Sequence, residues 1–473
     1  MALPSGSLLQ YYQNNVKQTP GFSKEVFKWM QLEAEKQKLS PENREGGILF
    51  DEMSIQDDLV IEKANEISRI VGFVDTGVEG ENMRFICNKN NQKQLATHVL
   101  HFIFLGFNGF RFPFAHFPTT QTTASELHFM FWEAVKMLNM YGFTVCFSSQ
   151  DGAQVNRDFV NMFFSVLPEK SNYSIRNIWY PLHPNIVLLM DFSHVIKRVR
   201  NNISKSGKSS DSNGNQNKFI RTLKNGDHLI LWDHWIQAFK WDHDTNPFPI
   251  HRKLTYEHFY LTPQSKMRNQ LAEDALDQEM LHLMQLFQKF LGENGDEIQG
   301  SVDLLKHTST FISCFRDKRP IYESNDFRLQ KNIETLHYFQ QWEEQVSKSN
   351  LKPCEKERSL ISKQTRDDLK SLILGFDYLC NSRISRNGYS VTPCYINSDP
   401  IENIFCQERG IHNGLNTNPT YYQYSKAINS VILGEKSISR KSNTGGIDHC
   451  TQPITFYTKS AVNPRKRKQT LRI

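Results

Sequence analysis

The chain has 473 residues, 38% hydrophobic and 22% charged, enough for a large buried core and roughly two to four domains. No apolar run could span a bilayer, and the opening Met-Ala-Leu-Pro-Ser-Gly-Ser lacks the charged and apolar regions of a signal peptide, so an intracellular protein with no membrane partner is expected. The net charge of +6 suits a nucleic-acid partner without specifying one, and eight cysteines with no CxxC pair argue against a zinc knuckle or a disulfide framework.

In chain order, Leu8 to Lys38 reads as mainly helical, broken at Pro20-Gly21-Phe22-Ser23, with Ser23 a fitting N-cap. Ile48 to Ile55 is a short apolar strand carrying Asp51 and Glu52. Further strand material follows in Leu59 to Val74 and in Leu95 to Phe117. Thr123 to Met140 has apolar residues at helical spacing behind a Thr/Ser cap region. Phe143 to Phe147 is a strand running into Ser148-Ser149-Gln150-Asp151-Gly152. Ile186 to Met190 is another, ending at Asp191 and leading into a helix from His194 to Asn202. Three strands able to form a meander, then strands linked by helices, predict an α/β fold with an RNase H-like mixed sheet as its core.

Asn201 to Lys218 is Ser/Asn/Gly/Lys-rich and reads as a loop. Phe219 to Tyr389 is largely helical, with an aromatic cluster at Trp232, Trp235, Phe239 and Trp241 and an amphipathic helix or pair over Met267 to Phe290. A further helix begins near Asp399, and from Gly434 the chain is polar, ending in the basic run Arg465 to Lys468. The expected organisation is a helical segment over 1–42, a first core part over 43–205, a helical insertion over 206–390, the last core part over 391–432, and a basic tail over 433–473. Eight thiols scattered along this plan fit a reducing compartment.

Three acids could carry chemistry. Asp51 lies in an otherwise buried strand, where a charge is costly unless paired or bound to a metal, although taken alone it reads first as a solvent-facing Asp at a strand end. Asp151 ends an apolar strand before Gly152, and Asp-Gly is also a common turn. Glu402 follows Asp399-Pro400, so Asp399 reads as an N-cap, Pro400 as the first helical residue and Glu402 as a capping-box acid. Taken together they gain meaning. Phosphoryl transfer on two metals needs carboxylates that converge on hard divalent ions, Mg²⁺ or Mn²⁺. The long gap between Asp151 and Glu402 allows this only if most of Asn201 to Tyr389 is inserted into the core. Asp191, also at the end of an apolar strand, is the rival third ligand.

The chain resembles the P-element transposases and their THAP-associated relatives. The resemblance is carried, in the family's order, by Ile48-Leu49-Phe50-Asp51-Glu52-Met53, Asp151 to Arg157, Asp191 to Asn201, Lys253-Leu254-Thr255-Tyr256-Glu257-His258, Lys266-Met267-Arg268 with Leu271-Ala272-Glu273, Asp399 to Phe405 and Asn416 to Thr420. It implies a DDE triad of Asp51, Asp151 and Glu402, with Asp399 as an accessory acid. It also implies cleavage at transposon ends followed by attack of the freed 3′-hydroxyl on target DNA, action in the nucleus, and a homo-oligomer that holds two ends. A guanine nucleotide, GTP, is a cofactor at family level; Gly207-Lys208-Ser209 is only a fragment of a phosphate loop and reads as linker. The zinc-binding THAP domain common at the family's N-terminus has no counterpart in the cysteine pattern.

Lys197, Arg198 and Arg200 share one helix and are candidates for DNA-phosphate contacts, against a plain solvated helix face. The tryptophan cluster reads as core before it reads as a base-stacking platform. The basic tail suits nuclear import or a phosphate-binding arm. Two rivals stand beside the transposase reading. One is a domesticated, catalytically inactive nuclear DNA-binding or protein-interaction factor; the other is an RNase H-type nuclease, which would not need the helical insertion.

Overall fold

The structure, a computed structural model, describes residues 16–64, 67–77, 93–164, 172–207, 220–412 and 418–434. Lys208 and Ser209 with most of the loop around them, the THAP-relative match at Asn416-Thr417 and the basic run Arg465 to Lys468 lie outside the described residues. Six cysteines among the described residues are free thiols, and no helix among them is long and apolar enough to cross a membrane.

The expected break before the first helix is itself a short strand. Gly21–Phe22 (β1) leads into Lys24–Lys36 (α1), then Glu45–Ser54 (β2). Val60–Ala64 (β3) and Ile67–Val71 (β4) pair only with each other, as a hairpin outside the main sheet, so Leu59 to Val74 does not supply a core strand. Leu95 to Phe117 supplies two strands instead, His98–Gly106 (β5) and Arg111–Thr119 (β6). Ala124–Met140 (α2) starts from a capping box in which Thr123 and Glu126 satisfy each other's backbone N–H. Then come Thr144–Gln150 (β7), Gln154–Phe164 (α3), Ser174–Ile175 (β8), Ile186–Met190 (β9) and Phe192–Ile203 (α4).

The main sheet runs β1-β6-β5-β2-β7-β9-β8. β2, β5 and β6 form the antiparallel meander, and β7 and β9 add in parallel beside β2. This is the strand order of an RNase H-like core. The pleat sorts side chains between two faces. Phe50 and Phe102 sit on one face, where Phe22 and Phe159 meet them edge-on. Asp51, His101 and His116 form a row across β2, β5 and β6 on the other.

The rest is mainly helical, after a small hairpin of Leu223–Asn225 (β10) and His228–Ile230 (β11). The long helices are Trp232–Thr245 (α5), Gln278–Leu291 (α6), Gln299–Phe315 (α7), Phe327–Lys348 (α8), Lys363–Asn387 (α9), Asp399–His412 (α10) and Tyr421–Gly434 (α11). The Met267 to Phe290 stretch is a pair, a short helix over Asn269–Asp274 and then α6. Trp232 and Trp235 are fully buried and stacked, ring centroids 5.7 Å apart, so this cluster is core. α9 lies directly on the sheet: a Cβ at Gly375 would come 2.5 Å from Leu189 of β9, a spacing only glycine allows. α11 covers the same face further along, over β5 and β6, where Tyr421 Oη lies 3.1 Å from His116 Nδ1 and Tyr424 Oη bonds His101 Nδ1. One continuous apolar core runs through sheet and helices together.

Candidate active site

Register brings three aspartates to one edge. In the parallel pair β2·β7, Leu49 is level with Ser149, and in β7·β9, Gln150 is level with Met190. Two residues beyond the first match come Asp51 and Asp151, and one beyond the second comes Asp191. All three therefore stand just past the C-terminal end of the parallel pairings, Asp51 still within β2 and Asp151 and Asp191 immediately after β7 and β9, the edge at which open α/β sheets bind ligands. Glu52 alternates to the far face, where Thr119 Oγ1 and Thr122 N–H donate to it at 3.1 and 3.2 Å.

Each acid at this edge has a different setting. Asp51 accepts the N–H of Glu52 at 2.7 Å. Asp151 accepts the N–H of Ala153 at 2.9 Å and Asn156 Nδ2 at 2.6 Å, the first turn of α3 holding its carboxylate. Asp191 is wholly buried and caps α4: it accepts the N–H of His194 at 2.9 Å, the N–H of Ser398 at 2.6 Å, and faces His194 Nδ1 at 3.1 Å. Through these bonds Asp191 anchors the start of α4 to the segment before α10. Glu402, 8% exposed on the first turn of α10, comes 4.0 Å from His194 Nε2.

The charges register this proximity. The Asp51 carboxyl is pushed up to about 7, first by burial and then by Asp151 and Glu402, against the pull of His194 and of the Glu52 N–H. Burial alone would raise Asp191 too, but its hydrogen bonds from His194 and the backbone hold it well below the usual carboxylate range. Burial and Lys197 would lower His194; Asp191 and Glu402 outweigh them and raise it.

Oxygen donors carrying excess negative charge are what a hard divalent cation requires, so the donor set fits Mg²⁺ or Mn²⁺ in kind. In their present orientations, no three His, Cys, Asp or Glu side chains among the described residues meet the geometry of a metal site.

Residues 18–163 match the model of the TNP-like RNase H N-terminal domain. This stretch is similar to a TNP-like RNase H N-terminal domain. It contains Asp51 and Asp151, while Asp191 and Glu402 lie beyond it. In fold, the chain is similar to a Drosophila structure titled "P element transposase strand transfer complex", at a TM-score of 0.67 and 16% identity over 92% of this chain and 86% of that one. No curated protein matches the sequence. The P-element-type resemblance read from short motifs is thus supported twice, by a family model over β1 to α3 and by shared fold over most of the chain.

Beyond this similarity, two buried ionic links reach the site from the helices. Arg316 of α7 donates to Asp399 at 3.0 Å, to Ser193 at 3.1 Å and to Glu273 through two bonds. Asp399 is therefore not the helix cap expected of it: the Ser398 carbonyl accepts the N–H of Ile401 and Glu402, while the Asp399 carboxylate turns inward to Arg316. Burial raises the Asp399 carboxyl to about 7 despite Arg316, with Asp191, Glu402 and Glu273 adding to the rise. The second link joins Asp368 of α9 to Arg157 and Arg198.

The three basic candidates of α4 divide. Arg198 is committed to Asp368 and to the Gly152 carbonyl. Lys197 is 5% exposed and lies close enough to His194 to act on its charge. Arg200 is wholly buried and donates to the carbonyls of Ser265 and Lys266 at 3.2 Å, so it fastens the helices to the core and offers no charge to a phosphate in solvent. Sequence reasoning passed over His194 and Asn156. Both had a local signal, a His three residues after a helix-capping Asp and an Asn five residues after Asp151, each one helical turn from an acid.

Proposed function

We propose that the chain is a P-element-type DNA transposase that cleaves DNA and joins 3′-ends to target DNA with a DDE triad of Asp51, Asp151 and Glu402. The observation that carries this is geometric: the register sets Asp51 and Asp151 side by side on neighbouring strands of an RNase H-like sheet, and α10 brings Glu402 to 4.0 Å from His194, which Asp191 holds at the same end, from segments 100 and 251 residues apart in sequence. The solved structure of similar fold is named as a strand transfer complex, which supports DNA as the partner here.

Asp51, Asp151 and Glu402 would hold Mg²⁺ or Mn²⁺. Such ions supply an activated oxygen nucleophile and neutralise charge on the phosphate. The chain's own residues orient the ligands: Ala153 and Asn156 fix Asp151, and His194, pinned by Asp191, faces Glu402. In the joining step one P–O bond of the target is broken as one forms to the incoming 3′-oxygen, so the number of phosphodiesters is unchanged and no co-reactant is needed. Action in the nucleus and a homo-oligomer belong to the same proposal.

A second reading, a DNA-binding or protein-interaction factor that keeps the fold without the chemistry, draws on the likeness to the solved structure being one of fold, at 16% identity. One experiment separates the two. Oligonucleotides with free 3′-hydroxyl ends are incubated with target DNA and Mg²⁺ or Mn²⁺, using wild type, Asp151→Ala and Glu402→Gln. The transposase reading expects metal-dependent joined product from wild type and at least a 10³-fold loss in either variant, the order expected when preorganised charge stabilisation is removed. Binding of DNA without any joining, alike in all three proteins, would favour the second reading.

A further inference from the structure

We infer that Asp368, on the long helix α9, is a positioning residue for Asp151. The inference deepens the transposase reading, because it gives that site a further residue, but its geometry stands apart from any metal.

Asp368 sits on α9, 2% exposed, 217 positions after Asp151 in sequence. It accepts from Arg157 through both oxygens, Nε at 3.1 Å and Nη2 at 2.6 Å, and from Arg198 Nη1 at 3.2 Å. Arg157 belongs to α3 and Arg198 to α4, so one carboxylate ties together three helices. Both guanidinium groups also donate to the same acceptor, the carbonyl of Gly152. Gly152 is bonded directly to Asp151. A Cβ at Gly152 would come 2.6 Å from Arg198 Cζ and 2.7 Å from Arg157 Nη2, so the two cations enclose this peptide and glycine is the residue that admits them.

The arrangement has one consequence for the acid. The Asp151 carboxylate is oriented by the N–H of Ala153 and by Asn156. That orientation depends on where the peptide between residues 151 and 153 points. The peptide is fixed on its carbonyl side by two charge-assisted bonds, which are strong and directional. Both cations are in turn held by Asp368, a charge that would be costly to bury unpaired. Removing its charge leaves two guanidinium groups sharing one carbonyl, free to turn toward solvent and release the loop. α9 also rests on β9 through Gly375, so it brings Asp368 to the site on a rigid support. A plain packing role for α9 would not require its buried charge to meet two arginines around the residue next to Asp151.

The test uses the full chain and compares Asp368→Asn, which keeps the shape and loses the charge, with Leu372→Ala, which loosens the same helix without touching the arginines. Hydrogen exchange read by mass spectrometry reports the loop directly. Asp368→Asn should speed exchange about tenfold or more in peptides covering 150–157 and leave β9 protected, while Leu372→Ala should not single out that loop. In parallel, MnCl₂ is titrated into each protein and its melting temperature followed; the concentration at half-maximal rise should increase by about 10–100-fold in Asp368→Asn, as for partners that orient metal-binding groups. Equal exchange at 150–157 in the two variants would overturn the inference and leave Asp368 a packing strut. Local loosening in Asp368→Asn, with a wild type that neither responds to Mn²⁺ nor joins DNA, would uphold the inference and sink the transposase reading.

Discussion

Glu402 and His194 approach to 4.0 Å, and the far side of the same imidazole is held 3.1 Å from Asp191. One buried acid thus faces another through a single ring, with the chain positions of the two acids more than two hundred residues apart. His194→Ala should lower metal-dependent joining by about 10–100-fold, the range found when a partner of a ligating group is removed. Its melting temperature should change little beside that of Asp191→Ala, which strips the cap of α4 and the hold on Ser398 together. Joining at the wild-type rate in His194→Ala would remove the imidazole from the site.

Arg316 holds Asp399 and Glu273 in the interior, and neither acid has water to fall back on. Arg316→Met leaves two carboxylates crowded around an apolar side chain. The expected cost is about 3–5 kcal/mol, since breaking a buried pair strands the remaining charge. Adding Asp399→Asn and Glu273→Gln should recover a good part of it. Chemical denaturation of the single and triple variants measures both numbers, and a single variant as stable as wild type would show that the link carries no net energy.

Acid should weaken the fold through the histidines behind the sheet. Burial lowers His116 to about 4 and His101 well below the ordinary value of 6.5. Above pH 6.5 both states are neutral and stability is unaffected. As pH falls from 6.5 toward 4, the unfolded chain takes up protons that the folded chain refuses, so stability is lost across that window. For His116 the loss amounts to about 3 kcal/mol at most. Melting curves at pH 7.5, 6 and 5 should show a steeper decline in wild type than in His116→Gln; parallel declines would place the acid sensitivity elsewhere.

Much of the catalytic edge was legible because strands announce themselves by apolar runs that stop at a charge. Asp51, Asp151 and Asp191 each end or interrupt such a run, and the register puts them level. Sequence could not show that Ser398 donates its N–H to Asp191 at 2.6 Å across the fold, tying the end of β9 to the segment before α10. The reading of Asp399 as a cap failed for the same reason: local pattern favoured the backbone, and Arg316 from α7 took the carboxylate instead. Arg200 looked like a surface cation beside Lys197 and Arg198, and only the carbonyls of Ser265 and Lys266 explain its burial. The hairpin of β3 and β4 was indistinguishable from a core strand by alternation, since its pairing is with itself.

The sheet of this protein is complete by Met190, yet Glu402 sits far downstream on α10. A ribosome therefore releases both aspartates of the proposed triad, and every strand around them, long before the glutamate exists. On that reading a nascent or prematurely ended chain can fold its β-scaffold and remain unable to cut DNA, and catalytic competence becomes a property conferred by the last helices to emerge.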